Sequence, residues 1–353
     1  MFQPVRLLYI SLVALLLAGC TATPSGGTTA VSTLTVMTHD SFAISAELVT
    51  QFEQAHHARL VFVPSGDTGA ALNRAILSKE APQADVFYGV DNTFLARALE
   101  AGIFESYDSP LLADIPASFR LDPENGALPV DYGDVCINYD RAYFEDHKLP
   151  VPQTLSDLTK PEYAGLLVVE NPATSSPGLA FLMATIANFS EERYLDFWVD
   201  LRENGVVVVN DWETAYYTNF SGSSGRGPQP LVVSYNSSPA AEYIFADPPV
   251  TEPPTASITG PLACYRQVEF VGILSGTSQR MLAEQFVDFM LSVPFQEDVP
   301  EQMFVFPVNS NAALPEPFTR FTPPVDQPAL LDPGLVAENR DRWIQEWSQS
   351  VLR

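Results

Sequence analysis

The apolar residues of this chain fall into two alternating patterns: short continuous runs, and longer stretches with a spacing of three to four residues. The short runs predict β-strands at residues 34–37, 60–63, 85–88, 166–169, 206–209, 231–233 and 268–274. The spaced stretches predict α-helices at residues 47–56, 70–78, 92–101, 281–291, from 179 onward, and around Trp343, Trp347 and Val351. Repeated strand–helix units with polar turns at the strand ends are typical of an α/β fold with a doubly wound sheet.

The segment 206–243 carries the most informative pattern. Its four-valine run, 206–209, predicts a buried strand of a parallel sheet, followed by Asp211 at a helix N-cap position and by four aromatic residues in a short helical stretch. A second strand, 231–233, ends in the hydroxyl-rich sequence SYNSSP. In α/β sheets, ligands bind at such strand ends. Aromatic faces and small polar groups without an obvious catalytic group predict binding rather than chemistry.

A second hydroxyl-rich turn, residues 171–178, precedes the helix that starts near residue 179. Ser176 is suited to cap this helix and Pro177 to its first position. Free amides at such a helix start can bind an anion. A plain N-cap explains the same residues, so both interpretations remain open at this point.

The first 19 residues have the pattern of an export signal, with Arg6 followed by an apolar run that is too short to span a bilayer. The run ends in Leu-Ala-Gly-Cys, which resembles a bacterial lipobox and predicts lipidation of Cys20. The alternative is an ordinary cleaved signal with a chance cysteine. Residues 20–33 are small and polar, as expected of a flexible tether. We therefore predict an exported protein that is anchored to the cell membrane by its lipid alone.

Composition limits the partners. Among 353 residues, 43 are acidic and 18 are Lys or Arg, which gives a formal net charge of −25. This excess argues against binding to nucleic acid or to anionic lipid. The length is sufficient for two lobes with separate cores. Cys136 and Cys264 remain once Cys20 is set aside, and the sequence leaves open whether they form a disulfide or are two buried thiols.

The sequence contains none of the common catalytic, cofactor-binding or metal-binding motifs. The chain has no nucleophile elbow, P-loop, dinucleotide fingerprint, zinc-protease motif or calcium loop. His56 and His57 are adjacent, so a helix would point them about 100° apart, which is unsuitable for joint chelation. We therefore predict no cofactor, no metal and no enzymatic activity. An exported hydrolase is the alternative from a different class, and it would need an acid–base pair that no motif supports.

Taken together, several segments resemble one family. They are THDSF (38–42), GDTGAALNR (66–74), ADVFYGVDN (84–92), VDYGDVCINYD (130–140), NPATSSPGLAFLM (171–183), DWETAYY (211–217), LVVSYNSSPA (231–240), YRQVEF (265–270), FMLSVPFQEDVP (289–300), FPV (306–308) and RDRWIQEWSQSV (340–351). The chain is similar over almost its whole length after residue 33 to the thiamine-binding receptors of bacterial ABC importers, within the larger ferric- and polyamine-binding group.

The resemblance implies an α/β, two-lobed, type II periplasmic-binding-protein fold, in which each lobe is a mixed sheet flanked by helices and the ligand lies in the cleft between them. It places lobe 1 at 34–131 plus 269–305 and lobe 2 at 135–263 plus 309–353, with hinge crossings near 131–136, 264–268 and 306–308. Cys136 and Cys264 would then lie on neighbouring hinge strands, which favours a disulfide between them.

The resemblance also implies the ligand and the partners: thiamine, thiamine monophosphate or thiamine diphosphate, delivered by a monomer to an ABC permease. Trp212, Tyr216 and Tyr235 would stack on the ligand, and Asp40 and Asp67 would supply negative potential. Residues 174–176 would hold a phosphate. The full set of expected ligand-binding residues is Asp40, Ser41, Asp67, Thr68, Thr174, Ser175, Ser176, Trp212, Tyr216, Tyr235, Ser238 and Phe304.

Two positions depart from the family pattern: Phe304 stands where Trp is common, and His39 where Tyr is expected. The same group contains ferric receptors that bind iron through paired tyrosines, and Tyr216 with Tyr217 forms such a pair in this sequence. A ferric receptor is therefore the alternative function.

Overall fold

The computed structural model describes residues 31–224 and 226–352. The predicted export signal, the lipidation site Cys20 and the tether up to residue 30 lie outside these residues. Within them, no helix is both long enough and apolar enough to cross a membrane.

The described residues form eleven strands and eleven α-helices. The strands are β1 (Ser32–Thr38), β2 (Ala58–Pro64), β3 (Val86–Asp91), β4 (Phe104–Glu105), β5 (Leu128–Asp140), β6 (Leu167–Glu170), β7 (Val207–Val209), β8 (Leu231–Tyr235), β9 (Thr255–Ile258), β10 (Tyr265–Leu274) and β11 (Phe306–Pro307). The helices are α1 (Ala46–His56), α2 (Thr68–Leu77), α3 (Leu95–Ala101), α4 (Arg141–Asp146), α5 (Ser176–Phe189), α6 (Tyr194–Glu203), α7 (Ser238–Ile244), α8 (Arg280–Leu291), α9 (Val293–Gln302), α10 (Glu316–Phe321) and α11 (Pro333–Val351). Short 3₁₀ turns cover Pro110–Asp114, Ala117–Phe119, Leu155–Thr159 and Pro161–Tyr163, and a π-helix covers Thr214–Asn219.

The strands form one mixed sheet in the order β2-β1-β3-β10-β5-β8-β6-β7, with β4 added to β10 and both β9 and β11 added to β5. β1 is parallel to β2 and β3, and β6 is parallel to β7 and β8. We call β2, β1 and β3 the first half of the sheet, and β8, β6 and β7 the second half. The antiparallel pair β5–β10 joins the two halves.

β5 and β10 are the longest strands. They pair with each other, and each also pairs with one strand of a different half of the sheet. β10 pairs with β5 over residues 265–271 and with β3 over 269–273, whereas β5 continues along β8 over 135–139. Cys136 and Cys264 form a disulfide between these two strands. The predicted lobe bounds and hinge crossings stay predictions, since they concern how the halves divide and move.

Two main cores flank the sheet. One lies between the first half and helices α1, α8 and α9, around Val36, Phe52 and Phe286. The other is larger and includes most of α5, which is apolar on all sides and buried. Trp343 and Trp347 of α11 are fully buried there, and the Trp347 ring lies 5.4 Å from that of Trp198. The predicted packing stripe of the last helix is thus confirmed.

The structure corrects several predicted elements. The strand at 207–209 is parallel, as predicted, but it is a half-buried edge strand because only β6 pairs with it. α3 begins at Leu95 rather than at residue 92, because the Asp91 carboxylate accepts hydrogen bonds from the amides of Thr93 and Phe94 and holds a turn there. β1 begins at Ser32, so the last two residues of the predicted tether belong to the sheet.

Candidate functional site

A cleft of about 270 Å³ lies where the strand ends of both sheet halves meet. β1, β2 and β6 each end just before a lining segment, and the last residue of β8, Tyr235, lines the cleft itself. This is the edge at which α/β sheets bind ligands. The lining residues are His39, Asp40, Ser41, Phe42, Ala43, Asp67, Thr68, Ser176, Pro177, Trp212, Glu213, Tyr217, Tyr235, Glu269, Gln302, Met303, Phe304 and Val305.

One wall of the cleft is aromatic, and its orientation is fixed from behind. The indole N–H of Trp212 donates to Ser234 Oγ at 2.9 Å, and the ring stacks on Tyr216 at 5.0 Å between centroids and 18° between planes. Tyr217 lies edge-on to Trp212, and Tyr235 donates its hydroxyl proton to Gln267 Oε1 at 2.8 Å. These aromatic faces are therefore held ready for a flat ligand.

The backbone that carries this wall is unusual. Asp211 accepts a hydrogen bond from the Thr214 amide at 2.7 Å, which confirms its predicted N-cap role. The chain then forms a π-helix rather than the predicted ordinary helix, and such turns occur frequently at functional sites. The π-helix buries Tyr216 while leaving Tyr217 38 % exposed at the cleft, so neighbouring tyrosines serve different surfaces.

Phe304 also lines the cleft, and its backbone has a left-handed conformation, with φ of 61°. This conformation is rare for a residue with a bulky side chain. The Ser237 hydroxyl donates to the carbonyl oxygen of Phe304 at 2.5 Å and holds the turn in place. Backbone strain of this kind concentrates at ligand sites.

Four carboxylates surround the same space: Asp40, Asp67, Glu213 and Glu269. Burial raises the pKa of Asp67, although hydrogen bonds and the nearby His39 oppose this increase. Loss of solvent contact, with repulsion from Asp40 and Asp211, also raises the pKa of Glu213. Several acidic groups thus share one small volume, which favours a positively charged ligand that relieves their repulsion.

A row of three acids lies across three neighbouring strands, and one of them, Glu269, lines the cleft. Glu269 of β10 stands opposite Asp91 of β3 on one side and Asp131 of β5 on the other. Tyr88 Oη lies 2.5 Å from Asp131 Oδ2 and 2.9 Å from Glu269 Oε2. One hydroxyl proton cannot be donated to both carboxylates, and burial with repulsion from Glu269 raises the pKa of Asp131 well above its ordinary value. These surroundings therefore favour the protonated form of Asp131.

Asp91, the third acid of the row, is also tuned by burial. Burial raises its pKa to about 7, against hydrogen bonds from Thr93 and Gln267 and together with repulsion from Glu269. Gln267 Nε2 donates to Asp91 Oδ2 at 2.9 Å. Since Gln267 also accepts from Tyr235, the row is hydrogen-bonded to the aromatic wall.

The helix start that was predicted to hold an anion faces a second helix start. The N-cap of α5 is Ser175 rather than Ser176, and Ser176 accepts a hydrogen bond at Oγ from Thr68 Oγ1 of α2 at 3.2 Å. The Asp67 carboxylate lies beside both, accepting from the amides of Thr68 at 2.7 Å and Trp212 at 3.2 Å. A carboxyl group of the protein thus lies beside the helix start that was predicted to bind an anion.

The structure brings eight of the twelve expected ligand-binding residues together in the cleft: Asp40, Ser41, Asp67, Thr68, Ser176, Trp212, Tyr235 and Phe304. Four do not line it. Tyr216 lies behind Trp212, which covers its ring face, and Ser175 is fully buried. Thr174 donates to the Asn210 carbonyl oxygen, and Ser238 forms a hydrogen bond with Ser234. Their ligand-binding roles, including stacking by Tyr216, remain predictions.

Tyr216 and Ser238 instead line an adjoining pocket of about 220 Å³, which shares Trp212, Tyr217 and Phe304 with the cleft. The Tyr216 hydroxyl donates to Glu242 Oε1 there at 2.9 Å. Three aromatic side chains therefore separate two chambers.

Sequence reasoning missed several lining residues, chiefly Phe42, Glu213, Glu269, Gln302 and Met303. Glu213 directly follows Trp212, so its position after a strand was a usable signal. Glu269 lies inside a strand, and its role depends on its pairing with Asp91 and Asp131. No local pattern shows that pairing.

The tyrosine pair required for ferric binding is engaged in other contacts. The Tyr216 hydroxyl is committed to Glu242, and the two rings are nearly perpendicular, at 86°. Burial and nearby carboxylates raise the pKa of Tyr216 well above its ordinary value and that of Tyr217 to about 12, away from the phenolate form. Among the described residues, no group of three or more His, Cys, Asp or Glu side chains is placed to hold a metal ion.

A cleft with this chemistry, built at the strand ends of a mixed sheet, defines a solute-binding protein. Residues 81–320 match the family described as bacterial extracellular solute-binding protein, and the chain belongs to this family. It is 30 % identical to the thiamine-binding periplasmic protein of Escherichia coli (strain K12) over 327 residues, covering 91 % of this chain and 94 % of that protein. It is 29 % identical to the protein of the same name from Brucella suis biovar 1 (strain 1330), covering 92 % and 93 %.

Solved structures agree. A periplasmic thiamin binding protein superposes with a TM-score of 0.80 at 28 % identity, covering 93 % of this chain and 98 % of that one. A ferric binding protein from Campylobacter jejuni has a TM-score of 0.70 at 17 % identity, covering 90 % and 99 %, which shows a shared fold alone. The predicted α/β, two-lobed, type II periplasmic-binding-protein fold is confirmed.

Proposed function

We propose that this chain captures thiamine outside the cytoplasm and delivers it to an ABC permease. The observation that carries the proposal is the cleft itself, in which aromatic faces and four carboxylates surround one space. The similarity to thiamine-binding periplasmic proteins over more than nine-tenths of the chain supports the same ligand. The mode of action is capture by binding, with no bond made or broken.

Thiamine consists of two flat rings, one of which carries a fixed positive charge. Trp212, Tyr217 and Tyr235 offer ring faces or edges to a flat cation, a contact worth about 0.5–2 kcal/mol each. Glu213 and Glu269 add negative potential beyond the two aspartates predicted from sequence. At an effective dielectric of about 20, a charge pair about 5 Å apart gains roughly 3 kcal/mol.

Thiamine monophosphate and diphosphate belong to the proposal as weaker ligands. Their phosphate would approach Ser176 at the start of α5, where backbone amides favour an anion. The Asp67 carboxylate lies beside Ser176, where it accepts hydrogen bonds from the amides of Thr68 and Trp212. A phosphate must displace or protonate that carboxylate, so we expect unphosphorylated thiamine to bind more tightly than either phosphate.

The cellular setting completes the proposal. We infer export and anchoring through lipidated Cys20, with a monomer held at the membrane by its tether. The ligand would stabilise the closed form of the two lobes by contacting both, and the closed form would dock on the permease.

The test is a tryptophan-fluorescence titration of the purified full-length protein with thiamine, thiamine phosphates and ferric citrate. Trp198, Trp343 and Trp347 are almost completely buried, so quenching by a cleft ligand reports on Trp212. We expect saturable quenching by thiamine in the wild type and none in Trp212→Phe. In equilibrium dialysis, Trp212→Ala should bind thiamine at least about tenfold more weakly than the wild type. Phe245→Ala, which changes an exposed residue of the adjoining pocket, is the matched control.

Absence of thiamine binding in dialysis would refute the proposal. A tyrosinate charge-transfer band with ferric citrate would replace it with the ferric alternative. Turnover of thiamine phosphates would replace it with a hydrolase.

A further inference from the structure

The backbone around His39 leaves room for its side chain in the cleft. It follows β1, and its ring lies 5.4 Å from that of Tyr88. Gly89 beside it has φ of 109°, and a Cβ atom there would lie 2.5 Å from His39 Cδ2. Glycine therefore both permits this backbone conformation and leaves room for the imidazole ring.

The imidazole points its free nitrogen at the acid row. His39 Nε2 lies 3.6 Å from Glu269 Oε2, an ion-pair distance that is longer than a hydrogen bond. Nε2 is buried and has no hydrogen-bond partner among the described residues. Both side chains line the cleft. A positively charged ligand that contacts Glu269 therefore approaches the same carboxylate that faces His39.

The groups around His39 are mostly acidic and come from several elements. Glu269 faces it from β10, Asp67 from the start of α2, Asp40 from its own segment and Glu213 from the aromatic segment, whereas Tyr88 of β3 is neutral. Burial by itself lowers the pKa of His39. Attraction to Glu269, with smaller contributions from Asp67 and Asp40, outweighs burial and raises it above 6.5. The acidic surroundings thus favour the protonated form of His39 in the free cleft.

We propose that His39 is a specificity-determining residue that competes with a cationic ligand for Glu269, so that thiamine binds with release of a proton from His39. The proposal rests on the proposed function, because it concerns the ligand of the same cleft. Two positive charges beside one carboxylate repel each other, and only His39 can lose its charge. Thiamine keeps its thiazolium charge, so binding favours neutral His39.

The sign of the pH dependence follows from this competition. Below the pKa of His39 in the free protein, a ligand that requires neutral His39 must displace a proton, so its affinity rises by up to about tenfold per pH unit. Above that pKa, His39 is already neutral and the affinity becomes independent of pH. Thiamine affinity should therefore increase between about pH 6 and about pH 8.

The experiment is titration calorimetry of the full-length protein with thiamine at about pH 7, in two buffers of different ionisation enthalpy, which counts the protons released. We expect release of a fraction of one proton from the wild type and none from His39→Gln, whose affinity should no longer change with pH. His147→Gln, which alters a histidine packed on Tyr143 outside the cleft, is the matched control and should behave as the wild type.

Asp91 is the rival source of a proton, because its pKa is about 7 and Gln267 links it to Tyr235. Undiminished proton release by His39→Gln would assign the proton to an acid of the site, Asp91 or one of the lining acids Asp67 and Glu213, and overturn the proposal. So would a wild-type affinity that is the same at about pH 6 and about pH 8. Failure of both proteins to bind thiamine at either pH would instead refute the proposed function, and this inference with it.

Discussion

Reduction of the Cys136–Cys264 disulfide should lower the free energy of unfolding measurably. The two cysteines face each other directly across β5 and β10, since Val135 pairs with Tyr265 in the same antiparallel register. They are 128 residues apart in the chain. The bond therefore closes a very long loop, and in the unfolded chain it removes many conformations that the reduced chain can reach.

The loop length sets the magnitude. For a loop of this size, the chain-entropy relation gives about 5 kcal/mol at 25 °C, and measured values are commonly about 2–4 kcal/mol. We therefore expect reduction to cost about 2–5 kcal/mol. Both sulfur-bearing side chains are fully buried, so reductant reaches them only after unfolding.

The assay is urea unfolding with and without reductant, followed by circular dichroism and tryptophan fluorescence, on a Cys20→Ser background so that only one cysteine pair responds. The control is Cys136→Ala/Cys264→Ala, which should give the same curve in both conditions. Equal unfolding midpoints and slopes for the disulfide-containing protein with and without reductant would contradict the reasoning, because the loop constraint would then contribute nothing.

Three further predictions concern buried groups. Glu170 is fully buried, neither carboxylate oxygen has a partner among the described residues, and burial raises its pKa well above the ordinary value. Glu170→Met should therefore raise the free energy of urea unfolding at neutral pH by about 1–3 kcal/mol. A variant less stable than the wild type would contradict this prediction. A Cβ atom at Gly133 would lie 2.5 Å from Tyr235 Cδ1, so Gly133→Ala should weaken thiamine binding about tenfold in dialysis while leaving the circular dichroism spectrum unchanged. The raised pKa of Asp91, about 7, means that the folded protein keeps a proton that the unfolded chain loses near its ordinary value of 3.8. Its contribution to the free energy of unfolding should fall as pH rises through this window. The free energy of unfolding of Asp91→Asn should therefore differ less between about pH 5 and about pH 8 than that of the wild type. An unchanged difference would exclude Asp91 as its source.

Hydrophobic pattern was sufficient to predict most of the sheet and the buried stripe of Trp343 and Trp347. Such features depend on a period that the sequence displays directly. The pattern failed to predict a helix start and the burial of a strand, each of which depends on a single side chain or a single neighbouring strand. Asp91 delays the start of α3 by holding a turn, and β7 is half exposed because the sheet ends beside it. Both facts depend on tertiary contacts.

The aromatic part of the cleft was predictable for a related reason. Trp212 and Tyr235 follow or end strands, and strand ends of this fold face the ligand. The distinction between Tyr216 and Tyr217 was not predictable, because a π-helix changes which residue points inward. The altered helical phase places the Tyr216 ring behind Trp212, with the two rings stacked.

The acid row shows why the electrostatics of the site lay beyond the sequence. Like charges directly opposite each other on neighbouring strands destabilise a sheet. Glu269 nevertheless stands opposite both Asp91 and Asp131, and burial together with repulsion from Glu269 raises the pKa of both aspartates, which favours their protonated forms and weakens the repulsion. Of the three acids in the row, Glu269 is the one whose carboxylate lines the cleft and faces His39. A cationic ligand that neutralises this charge would gain the attraction without the cost of burying three carboxylates, so a row that is unfavourable for folding becomes favourable for binding.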